Sequence, residues 1–461
     1  MKQDILDTLR AIVGAPHLAV SPEEIACYAY DGTGREYPPA AVAFPGSAAE
    51  IQAIMRLATT ARFPVVPRGA GSGMTGGALA VAGGLVVAMN RMNRVVEIDQ
   101  ANQIAVVEPG VITGEFRREV EKRGLYYPPD PASLDFCTMG GNVAECAGGP
   151  SAVKYGVTRD YVLGLEAVLP DGSLIRTGVR TAKGVVGYDL TRLLVGSEGT
   201  LAIITRITVR LLPAPKERAT LLACCPSMEE ATGLVTSVLA RHLPCTLEYL
   251  DRTALAIAKA RLPLELPAGT AALLLLEVDG DGEEVARAAA NLHDFLATQP
   301  EVLAVRQAAN QAEARDLWAA RRAVSPAAFD LRPHKISEDV VVPRTAIPAL
   351  VRHAEELAVQ LGIPVFTFGH AGDGNIHVNI MLDRDDPDEA TAAATARQRI
   401  FTETLRLGGT ISGEHGVGIT KADQLPREID PATLALMRRI KTAFDPNGIL
   451  NPGKIFPPPA P

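Results

Sequence analysis

The amino-acid sequence predicts an α+β fold with an N-terminal α+β domain, a second α+β domain with a mainly antiparallel sheet, and a C-terminal helical segment. Short β-rich runs alternate with helices up to residue 213, and a strand–helix–strand pattern then occurs twice. Amphipathic helices are expected near the end of the chain. Since domains average roughly 150 residues, a chain of 461 residues is expected to hold two or three domains.

Local signals predict the elements of the first domain in order. Ser-x-x-Glu capping boxes begin helices at Ser21–Glu24 and Ser47–Glu50. Pro170-Asp171-Gly172 separates two β-rich runs and predicts a hairpin. Two nearby prolines after residue 212 mark a boundary, so the first domain is assigned to residues 1–213. The predicted strands are 63–66, 85–89, 104–108, 165–169, 174–177 and 201–212.

The second domain, assigned to residues 214–410, is expected to contain a split βαβ arrangement. A third capping box lies at Ser227–Glu230. Helices are predicted at 391–407 and 431–444, a third segment at 411–456, and a disordered tail at 457–461. The repeated strand, helix and strand are 219–225, 228–241 and 244–250, then 271–278, 282–297 and 301–307.

Composition and charge exclude several classes of protein. The 53 acidic residues exceed the 45 basic ones, and a net charge of −8 argues against a nucleic-acid-binding protein. Asp4 and Asp7 interrupt the stretch where a secretory signal would be apolar. The apolar run 271–276 is far shorter than the ~18 residues that a membrane span needs. Six cysteines without CxxC spacing suggest free thiols, so a cytoplasmic protein is expected.

A glycine-rich loop follows the strand at 63–66. Gly71, Gly73 and Gly76 form a G-x-G-x-x-G pattern, but a Rossmann loop requires a helix directly behind it. The following residues, 78–89, are broken by two glycines and then become β-rich, so the Rossmann interpretation is rejected. The loop is either an anion-binding nest of backbone amides or a mobile hairpin.

Two further segments favour a ligand-binding loop over a mobile hairpin. Residues 128–156 carry two Gly-Gly pairs among small residues, and residues 195–205 contain a turn that leads into a strand. Several places of close backbone approach in one domain suit a long, flat ligand held along its length.

The histidines near the end of the second domain predict a metal site. His370 and His377 bracket a Gly-Asp-Gly-Asn turn, so a hairpin would bring both imidazoles to one point. Glu414 lies in another glycine-flanked turn and offers a carboxylate. Two imidazoles and one carboxylate suit a catalytic divalent cation, although the His-x₆-His spacing alone is weak support.

Other residues suggest acid–base chemistry. His415 is the candidate general base, and the alternative is a structural histidine next to the metal. Arg321 and Arg322 lie on a predicted helix. Either one of them binds a substrate carboxylate, or both are solvated residues of the helix surface.

Taken together, these motifs resemble one family. PRGAGSGMTGG (67–77), DPASLDFCTMGGNVAECAGG (130–149) and GSEGTLAIIT (196–205) resemble the FAD-binding domain of the vanillyl-alcohol-oxidase type, also called PCMH-type. The C-terminal segments, including FDPNGILNPGKIF (444–456), resemble its D-lactate dehydrogenase, glycolate oxidase D-type subunit and D-2-hydroxyglutarate dehydrogenase branch. The resemblance extends from Pro39 to Phe456.

The resemblance implies a set of FAD-contacting residues. The first loop is expected to wrap the pyrophosphate, a second group to line the ribityl chain and the isoalloxazine ring, and a third to lie near adenosine. Because the first loop contains no histidine, the FAD is expected to be non-covalent. The first group is Pro67, Arg68, Gly69, Ala70, Gly71, Ser72, Gly73, Gly76 and Gly77; the second is Pro131, Thr138, Gly141 and Asn142; the third is Glu198 and Ile204; Gly148 and Asn451 complete the set, with Asn451 facing the flavin.

The resemblance also implies roles at the substrate. His370, His377 and Glu414 match the metal ligands of the family, with zinc, manganese and iron(II) all suitable. Arg321 matches its carboxylate-binding arginine, and Asn379 resembles another substrate contact. Lys335 stands two residues from the position of a lysine found in relatives that bind dicarboxylates, so its role is open.

The implied activity is the oxidation of a small D-2-hydroxy acid, D-lactate or glycolate, to the 2-oxo acid, with hydride transfer to flavin N5. Electrons are expected to pass to an electron-transfer flavoprotein, an iron–sulfur subunit or a quinone-linked carrier rather than to NAD. The chain is expected to form a homodimer or a hetero-complex. In a hetero-complex a partner would hold the cytoplasmic protein at the inner membrane. The alternatives are a D-2-hydroxyglutarate dehydrogenase and an alkylglycerone-phosphate-synthase-like flavin transferase.

Overall fold

The computed structural model describes residues 1–259 and 266–457. The predicted tail at 457–461 therefore lies outside the described residues except for Pro457. The helices are α1 (Gln3–Val13), α2 (Pro22–Ala26), α3 (Ala48–Ala61), α4 (Thr113–Glu121), α5 (Met139–Glu145), α6 (Ala152–Tyr155), α7 (Leu190–Leu194), α8 (Met228–Leu239), α9 (Arg252–Lys259), α10 (Gly282–Ala297), α11 (Gln311–Ala327), α12 (Ile347–Leu361), α13 (Pro387–Arg406), α14 (Leu425–Glu428) and α15 (Pro431–Phe444).

The strands form several sheets, most of them antiparallel, which confirms the predicted α+β class. They are β1 (Leu18–Ala19), β2 (Ala41–Ala43), β3 (Val65–Arg68), β4 (Leu85–Ala88), β5 (Val95–Asp99), β6 (Ile104–Val107), β7 (Leu125–Tyr126), β8 (Val162–Val168), β9 (Leu174–Gly178), β10 (Ile203–Arg210), β11 (Leu212–Pro213), β12 (Glu217–Cys225), β13 (Thr246–Leu250), β14 (Ala272–Gly280), β15 (Ala304–Gln307), β16 (His334–Val341), β17 (Val365–His370) and β18 (Asn375–Leu382).

The chain divides into two compact units, each discontinuous in sequence. Unit 1 comprises Met1–Ala147, Val157–Ala214 and Glu414–Pro461, and unit 2 comprises Gly148–Gly156 and Pro215–Gly413. The sequence had placed 148–156 in the first domain. In the structure Lys154 and Tyr155 bind the buried carboxylate of Asp279 at 2.5 and 2.8 Å, which ties this segment to unit 2.

Unit 1 contains a mixed sheet and an antiparallel sheet. The mixed sheet has the order β1-β2-β4-β3, with β4 parallel to both β2 and β3, and its apolar face packs on α1 and α3. The second sheet has the order β5-β6-β10-β8-β9. The predicted hairpin is confirmed by the antiparallel pairing of β8 and β9. The capping box at Ser21 begins α2, and Ser47 caps α3 by accepting a hydrogen bond from the backbone N–H of Glu50.

The glycine loop joins β3 to the parallel neighbour β4. Residues 69–84, all of them described, contain turns and bends but no helix. The expectation that no helix follows the loop is therefore confirmed, and the Rossmann interpretation does not apply.

Unit 2 is built on one antiparallel sheet with the order β15-β12-β14-β13-β17-β18-β16. One face packs on α8, α10, α12 and α13 in a continuous apolar core. The other face packs on α9 and α11 through a smaller apolar cluster that includes Phe366, Phe368 and Leu317. The predicted strand–helix–strand repeats are confirmed as β12-α8-β13 and β14-α10-β15.

Some elements were not predicted from the sequence. Helix α5 has the sequence MGGNVAE, whose two glycines argue against a helix. Thr138 nevertheless caps its first turn by accepting a hydrogen bond from the backbone N–H of Gly141. In this helix of 7 residues, tertiary contacts outweigh the low helix propensity of the two glycines. Within the described residues, no helix is both long and apolar enough to cross a membrane.

Candidate active site

In unit 1 the first glycine loop lies directly against helix α5. A Cβ at Gly69 would stand 2.3 Å from Oγ1 of Thr138, and a Cβ at Gly77 would stand 2.8 Å from Oε1 of Glu145. Glycine is therefore required at position 69, where the short side chain of Thr138 leaves no space for a Cβ, whereas at position 77 the flexible end of Glu145 can shift. The structure thus brings together the two glycine-rich segments that the sequence assigned to one ligand.

The turn that carries His415 belongs to the same assembly in unit 1. Oγ1 of Thr75, in the glycine loop, donates to the backbone oxygen of His415 at 3.0 Å. The buried carboxylate of Glu198 accepts from the backbone N–H groups of Val417 and Gly418 at 2.8 and 2.7 Å. Burial raises the pKa of Glu198 despite these two donors. The Glu198 side chain thus holds the segment that follows the candidate base.

Arg68 braces the glycine loop through its own side chain. Its guanidinium donates to the backbone oxygens of Tyr30 at 2.7 Å and Ala78 at 3.5 Å. Burial lowers the pKa of Arg68, and the nearby carboxylate of Asp31 opposes that shift. The side chain therefore shapes the loop, and its expected contact with pyrophosphate stays a prediction.

The hydrogen bonds of the Asn451 side chain indicate whether unit 1 suits FAD. Its side-chain Nδ2 donates to the backbone oxygens of Gly77 and Glu198 at 2.9 and 2.7 Å. Its Oδ1 is buried and has no hydrogen-bond partner among the described residues. A buried acceptor without a donor costs about 1–3 kcal/mol, which a bound group with an N–H or O–H would offset. This acceptor beside a glycine cradle fits the expected cofactor.

Not every expected FAD residue is placed in this group. Gly148 lies in unit 2, and Ile204 is half-buried in β10, where it pairs with Ala167. The Asn142 side chain donates to Oγ1 of Thr113 at 2.8 Å. Their contacts with the cofactor stay predictions, as does that of Pro131.

In unit 2 the predicted strand, turn and strand form the hairpin β17–β18. In its register His370 pairs with Asn375, and Phe368 pairs with His377. Both histidines are buried on the face that packs on α11, and their Nε2 atoms lie 3.3 Å apart. The hairpin therefore brings the two imidazoles together as predicted.

A buried carboxylate that sequence reasoning missed lies next to His370. Glu248, fully buried in β13, pairs with His370 in the register, and its Oε1 accepts from Nδ1 of His370. Its Oε2 accepts from Nε and Nη2 of Arg321 at 2.9 and 2.6 Å. Burial alone would raise the pKa of Glu248, but His370 and Arg321 outweigh it, so the pKa is lowered. The carboxylate is therefore ionised at neutral pH.

The two imidazoles suit a metal ion. With Nδ1 of His370 donating to Glu248, the neutral imidazole carries its lone pair on Nε2, which faces Nε2 of His377. Two nitrogens bound to one tetrahedral Zn²⁺ at 2.0–2.1 Å stand about 3.3–3.4 Å apart. The observed 3.3 Å agrees with that spacing.

The residue that precedes Glu414 is anchored in unit 2. This residue is Gly413, whose backbone N–H donates to Oδ2 of Asp339 at 2.8 Å, and Asp339 pairs with His377 across β16 and β18. Glu414 itself begins the last segment of unit 1, and its role as a third metal ligand stays a prediction. Asp339 was not identified from the sequence, because nothing local distinguishes it from the other acidic residues.

The remaining predicted substrate residues share the same sheet face. Asn379 is fully buried, pairs with Ser337 and accepts from its Oγ at 3.3 Å. Lys335, two residues before Ser337 on β16, donates to Oγ of Ser325 in α11 at 2.7 Å. Arg322 is exposed. The helix that carries Arg321 thus also reaches Lys335 one turn further on.

Comparison with known families agrees with this arrangement. A model described as "FAD linked oxidases, C-terminal domain" matches residues 214–455, and one described as "FAD binding domain" matches residues 39–178. The chain belongs to the family of FAD-linked oxidases, and it is an FAD-linked oxidoreductase.

Relatives and solved structures give the same family. The chain is 42% identical to a glycolate oxidase subunit GlcD of Bacillus subtilis (strain 168), covering 98% of this chain and 97% of the relative. It is 36% identical to a D-lactate dehydrogenase of Anaerostipes hadrus, covering 89% and 88%. It is 32% identical to a D-2-hydroxyglutarate dehydrogenase of Stutzerimonas stutzeri (strain A1501), covering 98% of each. A p-cresol methylhydroxylase structure shares the fold, with a TM-score of 0.82 over 99% of this chain and 97% of that one at 17% identity.

Substitution of Gly73 tests the cofactor cradle. A Cβ there meets only Oε1 of Glu145, at 3.9 Å, so G73A is expected to fold normally. The added methyl group would still narrow the loop where the pyrophosphate is expected. We expect this to cost about 1.4 kcal/mol or more of binding free energy, which raises the FAD dissociation constant tenfold or more. Fluorescence titration of the apoprotein with FAD measures this effect.

The control for this test is G233A in α8, where a Cβ meets no atom within 4 Å. It should leave the FAD dissociation constant unchanged. An unchanged constant in G73A as well would contradict a cofactor cradle at this loop.

Proposed function

We propose that the protein oxidises a small D-2-hydroxy acid, D-lactate or glycolate, to the 2-oxo acid with FAD and a divalent cation held by His370, His377 and Glu414. The observation that carries the proposal is the pair of histidine Nε2 atoms 3.3 Å apart, next to the half-buried Arg321, whose guanidinium suits a carboxylate. The relatives named for glycolate and D-lactate support this substrate class.

The chemistry explains why a cation belongs here. An alcohol is far too weak an acid for an imidazole with a pKa near ~6.5. A bound divalent cation would lower the pKa of a coordinated oxygen, to about 7 for water on zinc, and bound FAD would accept the hydride. With the hydroxyl acidified in this way, His415 is basic enough to remove its proton.

The side chains of the chain then have separate tasks. His415 takes the hydroxyl proton, and Thr75 holds its backbone oxygen. Arg321 binds the substrate carboxylate and so orients the C–H bond that is broken. Asn379, buried on the same sheet face as His377, would contact the substrate beside its hydroxyl.

The two electrons must leave by a second protein. We assign this step to an electron-transfer flavoprotein, an iron–sulfur subunit or a quinone-linked carrier, since the six cysteines are free and show no cluster-binding spacing. Two similar proteins are named as subunits of glycolate oxidase, which supports a hetero-complex. A cytoplasmic location, at the inner membrane through such a partner, is part of the same proposal.

Metal removal tests the role of the cation. Anaerobic D-lactate or glycolate is expected to bleach the flavin absorbance of the untreated protein. Loss of a Lewis acid worth several kcal/mol should slow this bleaching by about 10²-fold or more after treatment with a strong chelator. Stopped-flow absorbance measures the rate, and adding back zinc, manganese or iron(II) identifies the metal. Rapid bleaching after complete metal removal would contradict metal assistance.

Replacement of the base gives a second test. H415A keeps the backbone oxygen that Thr75 binds, so FAD should remain bound. Loss of a general base is expected to slow flavin reduction by about 10²-fold or more. The matched control is H293A in α10, where the side chain is 40% exposed and no change is expected. Equal reduction rates in H415A and the unaltered protein would remove His415 from the mechanism.

A second candidate function is oxidation of D-2-hydroxyglutarate. The observation that favours it is Lys335, a second cation on the sheet face of Asn379 that is linked to α11 through Ser325. Burial lowers the pKa of Lys335 to about 8, so its side chain is a charged ammonium below that pH and a neutral amine above it. A distal carboxylate would therefore bind best below pH 8.

The variant K335M separates the two candidates. If the second carboxylate binds Lys335, losing a charged hydrogen bond of about 1.5–3 kcal/mol lowers kcat/KM for D-2-hydroxyglutarate about tenfold or more. The same constant for D-lactate should stay unchanged. In the unaltered protein the preference for the dicarboxylate should fall as pH rises above about 8. R322M, which removes an exposed cation on α11, is the control, and equal effects on both substrates would contradict this role.

A further inference from the structure

Glu248 uses both of its carboxylate oxygens on residues of the candidate site. Oε1 accepts from Nδ1 of His370, and Oε2 accepts from Nε and Nη2 of Arg321. Glu248 itself is 0% exposed, so water does not replace either contact. One buried carboxylate thus joins a metal-binding histidine to the carboxylate-binding arginine.

We infer that Glu248 is a positioning residue that sets the metal-binding nitrogen of His370 and the orientation of Arg321 at the same time. This inference rests on the proposed function, because it assigns Glu248 to the metal and the substrate of that site.

The histidine contact selects one tautomer. A carboxylate has only acceptors, so Nδ1 of His370 must carry the proton and Nε2 must carry the lone pair. That lone pair faces Nε2 of His377, where the metal is proposed. Partners of this kind fix the ring orientation of a ligand histidine and raise its basicity.

The arginine contact leaves one edge of the guanidinium for the substrate. Glu248 occupies Nε and Nη2, and the guanidinium carbon of Arg321 stands 4.5 Å from the centroid of the Phe368 ring. The ring restricts rotation, and Nη1 remains for the substrate carboxylate. The same contacts therefore decide from which direction the substrate approaches.

Stability of the sheet does not by itself explain why a charged Glu248 is buried between His370 and Arg321. Buried ion pairs are often no more stable than apolar residues of similar volume, because desolvation offsets the attraction between the charges. Elsewhere on this sheet face an apolar residue packs on α11, since Phe368 shares a buried cluster with Leu317 of that helix. A buried charge that binds two candidate site residues is explained by their positioning.

Glu277 offers a matched control in the neighbouring strand β14. It is 6% exposed, and its Oε1 accepts from Nε1 of Trp318 in α11 and Oγ1 of Thr220. It thus shares with Glu248 the burial, the sheet and the contact to α11. Its side chain contacts Trp318, Thr220 and Arg218 rather than the candidate site, so it separates positioning from stability.

The test compares E248Q, E248D and E277Q as FAD-loaded proteins. A glutamine has one acceptor and one donor, so E248Q cannot accept from both His370 and Arg321. A glutamine N–H aimed at Nδ1 would also favour the tautomer that cannot bind the metal. E248D keeps the charge, but the shorter side chain cannot reach both groups. Zinc affinity is measured without substrate by competition with a chromophoric chelator, and KM for D-lactate is measured separately.

We expect both Glu248 variants to bind zinc about 10–100-fold more weakly, in the range known for partners of ligand histidines. We also expect both to raise KM for D-lactate, with E277Q unchanged in both measurements. If the Glu248 variants bind zinc like the unaltered protein, or if E277Q weakens zinc equally, the inference is overturned. If the unaltered protein binds no zinc, manganese or iron(II), the proposed metal site fails, and the inference fails with it.

Discussion

The register of the β17–β18 hairpin is the constraint on which the candidate site depends. Side chains alternate between the two faces of a strand, so a slip by one residue would move His370, His377 and Asn379 into the apolar core beneath α8, α10, α12 and α13. The turn fixes this register at Gly374, whose φ is +88° and where a Cβ would stand 2.2 Å from the backbone oxygen of Val342. Glu248 and Asp339 then meet the two histidines because β13 and β16 flank the hairpin in matching register.

Much of this arrangement could be predicted from the sequence, and the limit is sequence separation. The strand, the glycine turn and the second strand are adjacent, so the approach of His370 to His377 follows from local rules. Glu248 lies 122 residues from His370, and Asp339 lies 74 residues from Gly413. Only the strand order of the sheet brings them together, and no local signal encodes that order. Helix α5 escaped prediction for a related reason, since its two glycines disfavour a helix and the loop that lies against it is distant in sequence.

Two buried carboxylates hold the backbone on either side of Glu414 and His415. Asp339 accepts from the N–H of Gly413 within unit 2, and Glu198 accepts from the N–H groups of Val417 and Gly418 within unit 1. The family resemblance assigned Glu198 to the cofactor, whereas its side chain binds the turn that follows His415. Desolvation makes such residues costly, and two N–H donors for one carboxylate are what offsets that cost. Glu414 and His415 are thus flanked on each side by anchored backbone.

The pairing of β3 with the end of the chain has a consequence for synthesis. Val65 exchanges backbone hydrogen bonds with Ile449 and Asn451, and Thr75 binds Ile419. These partners leave the ribosome last, after the whole of Pro215–Gly413. The long segment of unit 2 is therefore complete in the nascent chain while the β3 edge of unit 1 still lacks its final partners. Closing contacts across so great a span of sequence is slow, so the glycine loop should be the last part of the protein to become ordered.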